Sequence, residues 1–463
     1  MRLKSFVIAP QSGMLFKRLM PTTHGPHFAA FVGVYLFTLV LWARPHELFP
    51  VLGAIGLAKI IMFGAVGAYI VSKFSNADRT VWTLEAWMML VICAIAMFTL
   101  PVTISVQGTE DVLLGLYLKV LVIFVLMYNL IDTRKRLYWF LQLLVFVTVG
   151  HAIDAIRKYL KGEFTLGQSR IEGSVDGMFG NPNSLAMALD LMVPVAIMLA
   201  FITTRRKPRL FYLACTLALV GGVLATLSRG AFLALGAIGA VLLWKLSRNR
   251  RVRTFLVVGL MLIPMARFAP SKLKSRISTI FSIESDATLS AQERKELLMQ
   301  GIAMIPDYWI LGVGMNNYSL YSTRHMSAHN TYLEILIELG ILGLIAYLII
   351  IIAPMIALWR IELQTANAPR GPTREIHYLS VGLQASIVGF CICSFFGSVQ
   401  YIWFPYYIAA LGIALKRIHA AEQRERAPAA GEEIALPESR EMTGGVLWKP
   451  YSIRAEMNPA KVK

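Results

Sequence analysis

Long apolar runs separated by short polar segments dominate the pattern of this chain. Each run is close to the roughly 20 residues that cross the hydrocarbon core of a bilayer. Because a backbone in lipid must satisfy its own hydrogen bonds, the pattern predicts an all-α polytopic membrane protein. We predict about twelve transmembrane helices, at 28–43, 52–72, 86–106, 112–131, 137–157, 184–203, 210–227, 230–246, 254–268, 331–358, 377–397 and 400–415.

Basic residues are concentrated in alternate connections between these helices. The other short connections contain at most one basic residue each. Since Lys and Arg mark the cytoplasmic loops of membrane proteins, the alternation predicts that both termini are cytoplasmic. The basic segments are 2–18, 73–79, 134–136, 205–209, 245–253, 360–374 and 416–417.

Two connections on the opposite, periplasmic side are long, at about 158–183 and 269–330. Within the second, the segment Leu289–Ile305 alternates apolar and charged residues in a way typical of a helix lying in the membrane interface. We therefore divide the chain into a cytoplasmic segment (1–27), nine helices (28–268), a periplasmic loop (269–330), three helices (331–415) and a cytoplasmic tail (416–463). The composition of the tail favours disorder.

The composition agrees with this division. The chain is 56% hydrophobic and 16% charged, which is too apolar for a soluble globular protein. A net charge of +18 could indicate a nucleic-acid partner, but the basic residues lie in the connections that determine topology, so we expect none. All four cysteines fall inside apolar runs, which argues against a disulfide framework or a zinc site.

Charged residues within the apolar runs are costly in lipid and are often functional. In the predicted topology seven of them belong to the periplasmic half of the membrane, which predicts a polar cavity open to that side. The alternative is structural ion pairing between helices, for example of Lys59 with Glu334. Glu334 and Glu338 share a helix face, so we expect a basic neighbour between them. The seven are Lys59, Lys119, Asp154, Arg157, Asp190, Glu334 and Glu338.

Three arginines of the periplasmic side are candidates for binding phosphate. Arg170 precedes the entrance to the sixth helix, Arg229 lies in a tight turn between two helices, and Arg294 lies on the amphipathic segment. The guanidinium group is planar, stays charged and binds phosphate in a bidentate manner. Such arginines could hold a lipid diphosphate. The alternative is that they anchor the protein to lipid headgroups.

A histidine follows the glycine-rich segment Leu311–Tyr318. His329 lies just before the tenth helix and ahead of Glu334 and Glu338. A histidine at the membrane rim with a carboxylate in reach can act as a general base on a sugar hydroxyl; the alternative is a helix cap or a headgroup contact. We find neither a carboxylate pair at glycosidase spacing nor a cluster of metal ligands. These residues favour transfer with a diphosphate leaving group held by arginine.

The same segments resemble the O-antigen ligase and polymerase superfamily. His329-Asn330, nine residues, and then Gly340-Ile-Leu-Gly343 match the family pattern. The GNPN segment at Gly180–Asn183, the SRGA turn at Ser228–Ala231 and the overall topology are also similar. The resemblance covers about 170–345, whereas the first five helices agree only in layout.

The resemblance implies a GT-C-like membrane glycosyltransferase of the bacterial inner membrane. It implies metal-independent, inverting transfer of a glycan from undecaprenyl diphosphate to lipid A–core oligosaccharide, with no cofactor. His329 would activate the acceptor hydroxyl, and Arg229 and Arg294 would hold the diphosphate. Further candidates for the site are Arg170, Asn183, Asn330, Glu334 and Glu338.

Two alternatives lie within the superfamily, and two lie outside it. Related members act as polysaccharide polymerases or as protein O-glycosylation ligases, and the acceptor would distinguish them. A secondary transporter often carries a long cytoplasmic loop between its sixth and seventh helices, but here that connection is only 204–209. A structural membrane protein would not need buried charges confined to one side.

Overall fold

The predicted apolar runs form helices in the computed structural model. The structure describes residues 27–76, 79–164, 170–175, 177–246, 290–369 and 371–426, and these ranges contain helices and no strand. The long helices are α1 (Phe28–Ala43), α2 (Leu57–Asn76), α3 (Leu84–Phe98), α4 (Val106–Leu130), α5 (Arg134–Lys161), α6 (Pro182–Ile202), α7 (Arg206–Thr226), α8 (Arg229–Leu246), α9 (Ser290–Tyr308), α10 (Thr331–Thr365), α11 (Pro372–Ser394) and α12 (Trp403–Arg426).

Nine helices of the described ranges are long and apolar enough to cross a membrane, and α1 is a shorter apolar helix. The predicted all-α, multi-pass membrane architecture is therefore confirmed, while the count of about twelve stays a prediction. The predicted helix at 254–268 lies outside the described residues. So do 1–26, the part of the periplasmic loop at 269–289, and the tail from 427 onward.

Helix ends follow the usual capping chemistry. Thr133 accepts a hydrogen bond from the backbone amide of Arg136 at the start of α5, and Gly162 ends that helix in the left-handed conformation. Asn181 caps α6, whose first residue is Pro182, a position where the missing amide hydrogen costs nothing. These caps place the start of α6 and the end of α5 in the periplasmic half of the predicted topology.

The central helix of the bundle is α6, in which most residues are buried. It packs against α5, α7, α8 and α11. Small residues allow neighbouring helices to approach closely, as is common in membrane bundles. A side chain at Gly222 of α7 would collide with Ala152 of α5, and one at Gly33 of α1 would collide with Ala65 of α2.

Several helix boundaries differ from the predicted ones. The last helix continues to Arg426, beyond the predicted end at 415. Helix α2 begins at Leu57 rather than at 52, because Gly56 adopts a positive φ of 64° and separates it from two short helices. The largest difference is in α10, where Gly340 (φ 66°, ψ −173°) breaks the predicted continuous span into 331–339 and 341–365.

Candidate functional site

A small cavity lies where α6, α8 and α10 begin and α11 ends. Its volume is about 130 Å³. The polar part of its wall consists of one imidazole together with amide and hydroxyl groups, which are the groups that hydrogen-bond sugar hydroxyls. These residues are His329, Asn181, Asn183, Ser184, Ser228, Ser327 and Ser398.

His329 is held in the wall by a strained backbone. Its φ of 52° is uncommon for a residue with a side chain, and Asn330 immediately begins the next helix. The imidazole makes no hydrogen bond to any other described residue, so both of its nitrogens can face a substrate. Burial, followed by the charges of Arg294 and Arg170, lowers the pKa of His329 to about 4. The ring is therefore neutral at neutral pH and can accept a proton.

Two of the predicted arginines lie close enough to act on this histidine. Arg170 is buried, and Arg294 is half-buried on α9. Both charges lower the pKa of His329, so both guanidinium groups lie near the imidazole. The predicted candidates Arg170, Arg294 and His329 are thus brought together from three separate segments of the chain.

Arg229 takes a different position. It is the first residue of α8 and follows a turn in which Leu227 adopts a φ of 56°. Its neighbours Ser228 and Gly230 line the cavity, whereas its own half-buried side chain is not part of the wall. Arg229 therefore lies at the edge of the cavity rather than inside it.

The GNPN and SRGA segments meet across the cavity. The hydroxyl of Ser228 donates a hydrogen bond to the side-chain oxygen of Asn183 at 2.9 Å, and the Asn181 side chain accepts from the backbone of Asn183. The predicted candidate Asn183 is therefore oriented by two neighbours. Its partner Ser228 was not among the predicted site residues, although it lies within a motif that was recognised.

The predicted candidate Asn330 has a structural role in this arrangement. Its side-chain oxygen accepts from the backbone amides of Tyr332 and Leu333 at 3.1 and 3.0 Å, so it is the cap of α10. An Asn directly after the histidine thus begins the helix and determines where His329 stands relative to it.

Among the described residues neither glutamate is hydrogen-bonded to the imidazole of His329, which corrects the expected histidine–carboxylate pair. Glu334 instead accepts from the backbone amides of Ala328 and His329. Glu334 accepts hydrogen bonds from Ser398 at 2.5 Å and from Gln400 at 2.7 Å. Glu338 accepts from the Tyr401 hydroxyl at 2.6 Å and from the backbone amide of Tyr318 at 3.1 Å. Among the described residues neither carboxylate forms an ion pair, so hydroxyl and amide donors replace the expected basic neighbour. Both glutamates hold the loop at 398–401, which contributes Ser398 to the cavity wall.

The break at Gly340 is filled by the glycine-rich segment. The amides of Val313 and Gly314 donate to the carbonyls of Ile337 and Glu338, both at 2.9 Å, and Ile341 donates to Trp309 at 2.7 Å. Any side chain at Gly340 would overlap the Ile310 carbonyl, and one at Gly312 would overlap that of Glu338. We call this contact between 309–314 and 337–341 the glycine junction. The glycine-rich segment and the motif that begins at Gly340 pack against each other here, and each requires a glycine at the point of contact.

A polar network not predicted from the sequence fixes the same segment to α4. Asn317 is fully buried. Its side chain accepts from the backbone amide of Ser105 at 2.8 Å and donates to the Thr109 hydroxyl at 2.9 Å. The doublet Asn316-Asn317 in a glycine-rich turn was the available signal, since Asn often bonds backbone groups in turns.

The seven charged residues of the apolar runs do not line the His329 cavity, which corrects that expectation. Lys59 is exposed on α2 and does not pair with Glu334. Asp154 pairs with Arg157 at 2.7 Å and Lys158 at 3.8 Å, so these ion pairs form within α5 and not between helices.

Asp190 lies beneath the cavity. It is fully buried, and its only side-chain hydrogen bond to a described residue is from the thiol of Cys393, at 3.8 Å. Cys393 itself lines the cavity. The described residues include no group of three or more His, Cys, Asp and Glu side chains able to hold a metal ion.

Comparison with known proteins agrees with this site. Residues 211–348 match the family model described as O-antigen ligase. The matched segment begins in α7 and includes Ser228, Arg229, Arg294, His329 and the glycine junction. Comparison with curated proteins gave no match. The predicted resemblance to the O-antigen ligase superfamily is confirmed over this segment.

Proposed function

We propose that this protein is an O-antigen ligase that transfers a glycan en bloc from undecaprenyl diphosphate to lipid A–core oligosaccharide. The observation that carries the proposal is a neutral histidine under the influence of two arginines, in the wall of a cavity lined by hydroxyl and amide groups. Neutral imidazole suits proton abstraction, and arginine suits a diphosphate leaving group.

In the proposed step, an acceptor hydroxyl oxygen attacks the anomeric carbon of the donor sugar. The bond from that carbon to the diphosphate oxygen breaks, and its electron pair leaves with the diphosphate. The hydroxyl proton passes to the imidazole of His329. Attack opposite to the leaving group inverts the anomeric configuration, and Arg170, Arg229 and Arg294 stabilise the departing charge. Metal independence remains a prediction of the family resemblance.

Binding of the donor to the same arginines would also change the basicity of His329. A base whose conjugate acid has a pKa of about 4 is weak. A bound diphosphate would offset the positive charges of Arg294 and Arg170 and raise the pKa of His329. Donor binding would then strengthen the base that activates the acceptor, so the acceptor hydroxyl is activated only when a donor is present.

The charge pattern supports the periplasmic side of the membrane for the proposed reaction. His329 lies at the end of the bundle opposite the basic connections 205–209 and 360–374, and basic connections are cytoplasmic in bacterial inner-membrane proteins. We therefore place the reaction at the periplasmic face of the inner membrane. Asn183, Ser228 and Ser398 would orient the sugars there.

The nearest alternatives are a polysaccharide polymerase and a protein O-glycosylation ligase, which differ from the proposal in the acceptor. Deletion of the protein followed by analysis of envelope glycans separates them. A ligase leaves long lipid-linked glycan unattached, a polymerase leaves single repeat units, and a protein ligase leaves an unglycosylated protein beside complete lipopolysaccharide. Only the first result agrees with the proposal.

A secondary transporter is less well supported. Broken helices in transporters expose backbone groups that bind the ion or the substrate. Helix α10 is broken at Gly340, but the carbonyls of residues 337 and 338 already accept from the amides of Val313 and Gly314. The broken helix therefore offers little free backbone for a transported ion.

A further inference from the structure

A second, larger cavity lies at the opposite end of the bundle. Its volume is about 810 Å³. It is formed by the connections α6–α7 and α10–α11, and its wall includes Phe201, Arg209, Arg374 and Tyr378. Helix α6 has 21 residues, so this cavity lies about 30 Å from the one that contains His329. It is therefore a separate site.

Aromatic stacking holds the two arginines of this cavity in place. The rings of Phe201 and Tyr378 are stacked, with centroids 5.7 Å apart and an interplanar angle of 23°. The guanidinium of Arg209 lies 6.0 Å from the centroid of Phe201, and that of Arg374 lies 4.9 Å from the centroid of Tyr378. Arginine stacked in this way can present its edge donors to an anion. In Arg374, Nη1 already donates to the Ala366 carbonyl at 2.9 Å, so the remaining guanidinium donors would contact the anion.

The cavity is positively charged. Among the described residues neither Arg209 nor Arg374 forms an ion pair. The one acidic residue of the wall, Glu375, already accepts from Arg134 at 3.2 Å and from the Tyr138 hydroxyl at 3.0 Å. Helices α7 and α11 also begin here, and neither has a side-chain cap. The positive ends of these two helix dipoles add to the attraction for an anion.

Apolar side chains in and next to the cavity are exposed. Phe201 of the cavity wall is 44% exposed, and Leu210 and Phe211, which follow Arg209 in the sequence, are 55% and 53% exposed. In a membrane such side chains lie against acyl chains, whereas the arginines of the cavity lie at headgroup depth. A ligand that satisfies both regions carries phosphate next to hydrocarbon. Basic pockets between helix ends on the cytoplasmic side are known to suit anionic lipid headgroups.

We infer that this cavity binds the phosphate group of an anionic phospholipid from the leaflet opposite the His329 cavity. Arg209 and Arg374 would each contact phosphate oxygens, and the uncapped starts of α7 and α11 would face the same group. This inference does not rest on the proposed ligase activity, because it uses neither His329 nor the residues around it.

Lipid retention by the purified full-length protein, measured by native mass spectrometry, tests this inference. We expect phosphatidylglycerol to bind the double variant Arg209→Gln, Arg374→Gln about 30-fold more weakly than the wild type, since each of the two basic contacts contributes about 1 kcal/mol. The matched control is Arg79→Gln, Arg360→Gln. It removes two exposed arginines outside the cavity and should bind like the wild type.

Three further measurements distinguish binding of an anionic phospholipid from the alternatives. Phosphatidylcholine with the same acyl chains should bind the pocket and control variants equally, and millimolar inorganic phosphate should not displace phosphatidylglycerol. The single variant Arg209→Gln removes a side chain without hydrogen bonds to described residues, so it should keep the wild-type elution volume while binding the lipid more weakly. Equal phosphatidylglycerol binding by the pocket and control double variants would overturn the inference. Displacement by inorganic phosphate would overturn the lipid assignment.

Discussion

The two ends of the helix bundle use arginine in different ways. At one end, Arg170 and Arg294 lie near a neutral histidine, His329. This histidine lies in the wall of a cavity of about 130 Å³ whose polar groups are uncharged. At the other end, Arg209 and Arg374 line a cavity of about 810 Å³ directly and are stacked on aromatic rings. The first arrangement suits a charge that develops during a reaction, and the second suits a charge that is present throughout binding.

The backbone shows the same difference. Around the small cavity, Leu227 and His329 have positive φ angles of 56° and 52°, and Gly340 interrupts α10. Such conformations persist only where the surrounding structure holds them, and they are typical of sites that need a defined geometry. At the large cavity Arg209 and Arg374 lie in the first turns of α7 and α11, and the residue of its wall with a positive φ is a glycine, Gly371 (139°). Among the described residues, left-handed backbone at residues other than glycine thus adjoins the small cavity and is not found in the wall of the large one.

The largest expected effect is a loss of glycan transfer, and it concerns the end of the bundle that contains His329. We expect His329→Ala to lower glycan transfer by about 10²- to 10⁴-fold, the usual contribution of a general base. His325→Ala is the matched control, because His325 also has a positive φ (51°) but is exposed and outside the cavity. Transfer should be measured with lipid-linked donor and purified protein. Wild-type transfer by His329→Ala would remove the general-base role.

The next effect tests the glycine junction. Gly340→Ala would force a side chain into a positive φ and into the Ile310 carbonyl, and we expect a loss of more than about 2 kcal/mol of stability. Gly239→Ala in α8 meets open space and should be neutral or slightly stabilising. Thermal unfolding in detergent compares the two variants. An equal change in Tm for both would show that the junction does not constrain α10.

A smaller effect concerns pH. The Arg294→Gln variant removes a positive charge that lowers the pKa of His329, so this pKa should rise. Because the base must be neutral, activity is lost as the pH falls through that pKa. The acidic limb of kcat/KM for the donor should therefore move to higher pH in the variant. An unchanged acidic limb would show that the charge of Arg294 does not affect the pKa of His329.

The same measurement tests the role of the donor. The pH profile of kcat reports the donor-bound enzyme and that of kcat/KM the free enzyme. If a bound diphosphate offsets the arginine charges, the acidic limb of kcat lies at higher pH than that of kcat/KM. Coincident limbs would contradict activation of the base by the donor.

The smallest effect is local. Ser228→Ala removes the 2.9 Å hydrogen bond that orients Asn183. A hydrogen bond of this kind contributes about 0.5–1.5 kcal/mol, so we expect transfer to fall about 2- to 10-fold. Ser228→Thr keeps the hydroxyl and should retain more activity than Ser228→Ala. The same activity in both variants would show that Asn183 needs no such partner.

Patterns of apolar and basic residues were sufficient to predict most of the helices, because the bilayer imposes one length and one composition on each span. They also led to His329 and to the superfamily. Residue types alone do not reveal partners that are distant in sequence. The side-chain donors of Glu334 and Glu338 lie more than 60 residues further on, at Ser398, Gln400 and Tyr401, so an ion pair was the simplest expectation.

The interruption of α10 was missed for a related reason. A glycine within a long apolar run remains compatible with a continuous helix, and only a backbone packed against it reveals the break. Residues 309–314 supply that backbone. The role of Asn330 could have been recognised, because an Asn directly before an apolar helix is a common N-cap.

The glycine junction also bears on how the protein is assembled. Residues 309–314 are synthesised before α10, and their amide groups can meet the carbonyls of residues 337 and 338 only if both segments reach the same side of the membrane. An α10 inserted in the wrong direction would keep these polar groups apart, and each one left unsatisfied in lipid costs several kcal/mol. The glycine junction therefore stabilises one topology of α10 during insertion and destabilises the inverted one, independently of any substrate.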